Sequence, residues 1–385
     1  MRTKSAVRVA LSLFALLAAA IVVSACGSSG SSGDTSGNAG GTTPAAKAPT
    51  LTADQEIANS GVTADKSFCG TKPLTLGIAD GFGVNAWSQE SYAAARSEAA
   101  KCPNVKEIVT VGGGDLQKSI SDVNSLVAQG AKAIVIIPDF GQAQLASIKQ
   151  ATGAGVKVVP WAADPSGSPG SDYVSYVDWD VPASGKRWAE WMVKALHGKG
   201  NVIYTGGPAG NPVGQQQLQG IVEVFDQNPG MKLLTGKKSW PVTNWDPATA
   251  QKVTSALLAK YPKIDGIISN YGTDALASVR AFQAANRKLV PITTLDANGL
   301  SCIYKEQNIP LSTISSRNWL GRVAARKAIA AAEGVQNTEP DKFDLPFFED
   351  SLGGKPLVCD KSAAPDFYPS NKITVADIQK YGKPS

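Results

Sequence analysis

Histidine is almost absent from this 385-residue chain, with His197 the only one. A single imidazole excludes a histidine metal cluster and the H-E-x-x-H arrangement. No G-x-S-x-G occurs, so the strained serine turn of the α/β-hydrolases is missing as well. Clustered positive charge is also lacking: Lys237-Lys238 and Arg287-Lys288 stand alone, which leaves no basic stripe for nucleic acid. The net charge of +5 includes Arg2, Lys4 and Arg8 and falls to about +2 without them. Two glycine-rich stretches fail as phosphate loops. Gly236-Lys-Lys-Ser239 has its preceding glycine, Gly230, one residue too far away, and Gly112-Gly-Gly114 lacks the dinucleotide spacing and reads as a tight turn. His197 itself precedes Gly198 at a predicted helix end, where a cap or an exposed side chain is the ordinary reading. No catalytic residue, metal or cofactor is predicted.

Long apolar runs are confined to the N-terminus. Arg2, Lys4 and Arg8 precede an apolar stretch from Val9 to Val23, then Ser24-Ala25-Cys26-Gly27. This is a signal for export, too short for a stable membrane span. Val23-Ser-Ala-Cys26 resembles the bacterial lipobox, which implies cleavage after residue 25 and a lipid on Cys26 at the outer face of the cell membrane. Residues 26–68 then read as a flexible tether, Gly/Ser/Thr/Ala-rich at first, with a short helix at 54–64. About 40 residues of such chain reach roughly 35 Å. Cys69, Cys102, Cys302 and Cys359 remain, and four cysteines allow three pairings.

From Leu74 onward, strand and helix patterns alternate. Strands are predicted at 74–80, 106–111, 133–138, 156–161, 173–178, 201–205, 232–236, 264–269, 290–295 and 311–315. Helices are predicted at 87–101, 115–129, 142–154, 181–196, 215–228, 247–260, 273–286, 300–307 and 319–333, several with starts such as Gly114-Asp115 and Asp246-Pro247. Such alternation builds mostly parallel sheets covered on both faces, and ten strands divide best into two sheets of about five. The predicted class is therefore α/β, with two doubly wound parallel-sheet lobes. After Glu333 the pattern loosens into one more edge strand at 345–348 and a tail from Gly353 to Ser385.

Polar aromatic loops lie at the carboxyl ends of these strands, where open α/β sheets bind ligands. Asn85-Ala-Trp87 follows the first strand, Asn244-Trp245-Asp246 the seventh, and Tyr271 the eighth, while Asp296 ends the ninth. Two indole rings from opposite lobes suit the two faces of a sugar, whose C–H groups complement the negative face of the ring. Asn85, Gln215 and Asp296 are then expected to orient its hydroxyls.

These features resemble the type I periplasmic sugar-binding proteins, the ribose/galactose-binding group that serves ABC importers. The likeness is carried by Leu-Gly-Ile-Ala with Asn85-Ala-Trp87, Ala-Ile-Val-Ile-Ile-Pro138, Gly206-Gly-Pro-Ala-Gly210, Asp274-Ala-Leu276 and Thr294-Leu-Asp296. It implies stacking by Trp87 and Trp245, a second-lobe carboxylate at Asp296, a polar residue at Gln215 and a hinge group at Ser316. It also implies crossovers near Asp180, Ser316 and Asp341, hence a first lobe of 69–180 plus 317–340 and a second of 181–316 plus 341–385. On that map each lobe holds two cysteines, which favours Cys69–Cys102 and Cys302–Cys359, since a bridge between lobes locks the hinge. The chain departs from close ribose binders where an Asp-Arg pair is usual: it reads Trp161-Ala162-Ala163-Asp164, with Asp164, Asp139 and Arg317 as candidates to supply the charge. Gln215 replaces an arginine and Tyr271 an asparagine.

The expectation is a monomeric, lipid-anchored solute-binding protein that passes a small molecule, a sugar, to an ABC permease. The alternatives are a ligand-presenting sensor or a binder of an aromatic or nucleoside-like solute. A carbohydrate hydrolase needs two facing carboxylates, and a lactose-repressor-type regulator needs an N-terminal DNA-binding module where this chain has an export signal.

Overall fold

The computed structural model describes residues 65–83 and 85–383. The export signal, Cys26, the tether up to residue 64 and the helix expected at 54–64 lie outside the described residues.

The first sheet is parallel, in the order β2-β1-β3-β4, from β1 (Leu74–Asp80), β2 (Val105–Val111), β3 (Ala133–Ile137) and β4 (Lys157–Pro160). β3 is buried along its whole length, as an apolar run covered on both faces requires. Helices α1 (Ala86–Ala99), α2 (Leu116–Ala128) and α3 (Leu145–Gly153) connect these strands. The helix expected at 142–154 begins instead as a separate 3-10 turn at Gly141–Gln144. The strand expected at 173–178 shrinks to β5 (Asp178–Trp179), with isolated bridges at Tyr173 and Val177.

The second sheet runs β12-β10-β9-β8-β6-β7, parallel except for β12. Its strands are β6 (Gly200–Thr205), β7 (Met231–Leu233), β8 (Gly266–Ser269), β9 (Ile292–Leu295), β10 (Leu311–Ile314) and β12 (Phe347–Asp350). Its helices are α4 (Val181–Ala195), α5 (Pro212–Asp226), α6 (Pro247–Lys260), α7 (Gly272–Ala284) and α8 (Asn298–Gln307). Side chains of Asp180, Asn211 and Asp246 cap α4, α5 and α6, satisfying backbone N–H groups that have no partner inside the helix. α4 and α5 pack backbone to backbone: a Cβ on Gly185 would lie 2.1 Å from the Gln217 carbonyl oxygen.

Helix α9 (Leu320–Glu333) returns to the first sheet, packing on α1, β3 and β4. A buried ion pair, Arg326 to Glu98 at 3.2 Å, seals that contact. The chain crosses between the sheets at β5, after β10, and at β11 (Lys342–Phe343), which pairs with β5. It crosses a fourth time near its end, because α10 (Val375–Tyr381) packs on α1. The expected placing of 341–385 in one lobe is thus corrected: β12 joins the second sheet, whereas Ile373 and α10 lie on the first, where Ala93 and Ala94 offer them a small-residue face. The tether also ends sooner than residue 68, since Phe68 is already buried in the core. Cys69 bonds Cys102 and Cys302 bonds Cys359, the expected pairing.

Candidate functional site

A cavity of about 500 Å³, its open mouth included, lies between the carboxyl edges of the two sheets. The first sheet side contributes Asp80 at the end of β1, Phe82 and Asn85 from the β1–α1 turn, Trp87 and Ser88 from the first turn of α1, and Asp139 after β3. The second contributes Asn211 at the start of α5, Trp245 before α6, and Asn270 and Tyr271 between β8 and α7. Arg317 comes from the crossing segment after β10. The two sides touch above the cavity: Asn211 Nδ2 donates to the Asp139 carbonyl oxygen at 3.1 Å, and Phe82 meets Trp245 edge-on with centroids 4.9 Å apart.

Both indoles are seated by named partners. Trp87 stacks on the buried Trp161 at 5.8 Å and donates from Nε1 to the Ser316 carbonyl at 2.8 Å. Trp245 donates from Nε1 to Asn270 Oδ1 at 3.3 Å and rests on Gly207, where a Cβ would lie 2.1 Å from the ring. Three cavity residues other than glycine hold left-handed backbones: Ala162 (φ 65°), Trp245 (φ 52°) and Arg317 (φ 63°). Each such conformation costs roughly 1–2 kcal/mol, and strain of this kind gathers at functional sites.

The charged groups of the cavity are under-satisfied. Asp80 Oδ1 accepts from Phe82 N at 2.8 Å, but Oδ2 is buried without a partner in the structure, as is Asp139 Oδ2. Burial pushes the Asp80 carboxyl up to about 6 against the hydrogen bonds that favour its anion. Burial and then the charge of Asp80 push the Asp139 carboxyl well above the usual carboxylate range. The Arg317 guanidinium lies over Trp179 at 4.3 Å and Trp87 at 5.4 Å, with Nε and Nη1 unpartnered. Burial pulls its pKa down to about 10. Acceptors, donors and apolar ring faces therefore converge on one space, which can hold a neutral molecule rich in hydroxyl groups.

Of the residues singled out from the sequence, Asn85, Trp87, Asp139, Trp245, Tyr271 and Arg317 line the cavity. Four do not, and these are corrections. Asp296 is fully buried behind it, its carboxylate accepting from Ser316 N at 2.6 Å and from Ser370 N and Oγ at 2.9 Å. Ser316 is fully buried in the same network. Gln215 is exposed on the first turn of α5, because that helix starts at Pro212 and presents its cap Asn211 to the cavity instead. Asp164 turns away to accept from Ser166 N at 2.7 Å. Sequence reasoning missed Asp80, Phe82, Asn211 and Asn270. Asn211-Pro212 repeats the cap pattern of Asp246-Pro247 and was the readable signal for one of them.

A family model described as a periplasmic binding protein domain matches residues 80–336, about two thirds of the chain. The chain belongs to this family. Its members bind substrates and do not transform them. The xylitol-binding protein of Mycolicibacterium smegmatis is 26% identical over 272 residues, covering 68% of this chain and 74% of that one. The D-apiose import binding protein of Paraburkholderia graminis is 26% identical over 246 residues, covering 63% and 73%. Among solved structures, the binding protein of the arabinose ABC transporter from Shewanella sp. ANA-3, bound to L-arabinofuranose, superposes with a TM-score of 0.66 at 17% identity, over 80% of this chain and 98% of that one. At that identity the superposition shows the fold, that of type I periplasmic binding proteins, and this periplasmic binding protein carries its cavity where the fold opens between two sheets.

Proposed function

We propose that this protein is an exported, lipid-tethered receptor that closes its two lobes on a neutral sugar or polyol and delivers it to an ABC permease. One observation carries the reading: unpartnered Asp80, Asp139 and Arg317 atoms share a cavity with indole rings contributed from both sides. Vicinal hydroxyls donate to the carboxylates and accept from the guanidinium, while Trp87 and Trp245 cover the C–H faces. Because the contacts come from both lobes, the ligand binds the closed state more tightly and draws the equilibrium towards it. The sugar- and polyol-binding relatives support the ligand class. Cys26 is the site of the lipid in this reading, holding the receptor at the outer face of the membrane as a monomer.

A thermal-shift screen over pentoses, hexoses, polyols, nucleosides and aromatic compounds tests it. A ligand at a hundredfold excess over its Kd adds about 2.7 kcal/mol. A shift with nucleosides or aromatic compounds alone would overturn the sugar assignment. Loss of membrane association in Cys26→Ser tests the tether.

A further inference from the structure

Residues 359–382 are built into the fold at both ends. The Cys302–Cys359 bond and Asn298 tie them to the second lobe, Asn298 Nδ2 lying 2.8 Å from the Asp360 carbonyl and 3.2 Å from those of Ala363 and Ala364. At the other end α10 lies on α1, and Arg96 Nη1 donates to the Tyr381 carbonyl at 3.0 Å. Between these moorings Tyr368, Ser370 and Asn371 are fully buried.

Asn371 Nδ2 lies 2.7 Å from Ser316 Oγ, 2.7 Å from Asn318 Oδ1 and 3.0 Å from Glu90 Oε2. Two of these partners hold the Trp87 residue of the cavity. The Ser316 carbonyl accepts the Trp87 indole N–H, and Asn318 Nδ2 donates to the Trp87 carbonyl. Three residues earlier, the Tyr368 ring packs against the cavity residue Tyr271, centroids 6.3 Å apart and planes inclined by 34°. The Tyr368 N–H donates to Glu90 Oε1 at 2.9 Å, so both residues of the segment converge on one α1 carboxyl.

We propose that Asn371 and Tyr368 are positioning residues of the binding site, seating Trp87 and Tyr271 from behind so that the C-terminal segment tunes ligand affinity without touching the ligand. The affinity claim rests on the binding reading above. The seating of the rings stands on the hydrogen bonds and ring contact alone.

The test compares wild type, Asn371→Ala, Tyr368→Leu and, as a core control on α5, Val224→Ala. Affinity is measured by calorimetry for the tightest-binding neutral sugar or polyol, and tryptophan emission is recorded on ligand-free protein with and without Trp87→Phe. Asn371→Ala is expected to weaken binding about tenfold, the worth of one buried hydrogen bond. It should also shift the emission, and that shift should vanish in the Trp87→Phe background. Tyr368→Leu is expected to change the order of preference among ligands, while Val224→Ala lowers the melting temperature and leaves Kd unchanged. Wild-type Kd and emission in Asn371→Ala overturn the proposal, as does equal weakening by Val224→Ala. If wild type binds nothing in the panel, the binding reading falls, and the emission comparison alone upholds or overturns the seating of Trp87.

Discussion

Replacing Arg317 with methionine should move affinity and stability in opposite directions. The guanidinium is buried between Trp87 and Trp179 with Nε and Nη1 unpartnered. A fall from the ordinary guanidinium value to about 10 means that burial opposes the charged form by roughly 3 kcal/mol at neutral pH. That cost applies at every pH below about 10, because the base stays protonated in both folded and unfolded chains there. Methionine fills similar volume without a charge to desolvate, and such exchanges are neutral or stabilising by about 1–4 kcal/mol. Asp139, whose carboxyl burial pushes up, loses a neighbour that favours its charged form. Binding, by contrast, loses two charge-assisted hydrogen bonds of about 1.5–3 kcal/mol each, or at least a hundredfold in Kd. Calorimetry on the tightest ligand and chemical denaturation of the ligand-free protein read the two effects separately. Unchanged affinity, or a ligand-free protein less stable by more than about 1 kcal/mol, would refute the reasoning.

Trp245→Ala and Trp245→Gly should each lower affinity by about 2 kcal/mol through lost ring contact. The glycine variant should nonetheless be the more stable by about 1 kcal/mol, because only glycine holds φ 52° without strain. Asp274 is fully buried on α7, and burial pushes its carboxyl up to about 7. The native chain keeps that proton where the unfolded chain has lost it, so stability falls as pH rises from about 4 to about 7. Asp274→Asn should flatten that part of a melting-temperature profile. Cys302→Ser opens a bond spanning 57 residues and should cost roughly 4 kcal/mol in denaturant unfolding, whereas reductant, which opens Cys69–Cys102 as well, should remove more than that from the wild type.

Most of the fold is legible where burial dictates pattern. Fully buried runs such as Ala133–Ile137 can only be inner strands, and Asp115, Asp180 and Asp246 mark helix starts by the geometry of their caps. Asn85, Trp87 and Trp245 are legible for a related reason: a polar or aromatic residue between a strand end and a cap has few places to go except the cleft. Asp296 misleads on the same logic. It ends a strand at the right edge, but its carboxylate is claimed by Ser370, which comes from a stretch without periodicity and 74 residues away. No local signal reports such a contact. The left-handed backbone at Arg317 is equally silent, since no glycine or asparagine stands there to mark it.

The two cystines join neighbours in chain order, first with second and third with fourth among the four core thiols. An oxidase acting on the chain as it emerges from the export channel makes both bonds correctly by linking each new thiol to the one before it. No shuffling by an isomerase is then required. Cys26 is the single residue that upsets this order, because as a free thiol it emerges first and meets Cys69. If Cys26 carries the thioether-linked lipid proposed above, that competitor is removed, and anchoring and correct oxidation would become one problem with one solution.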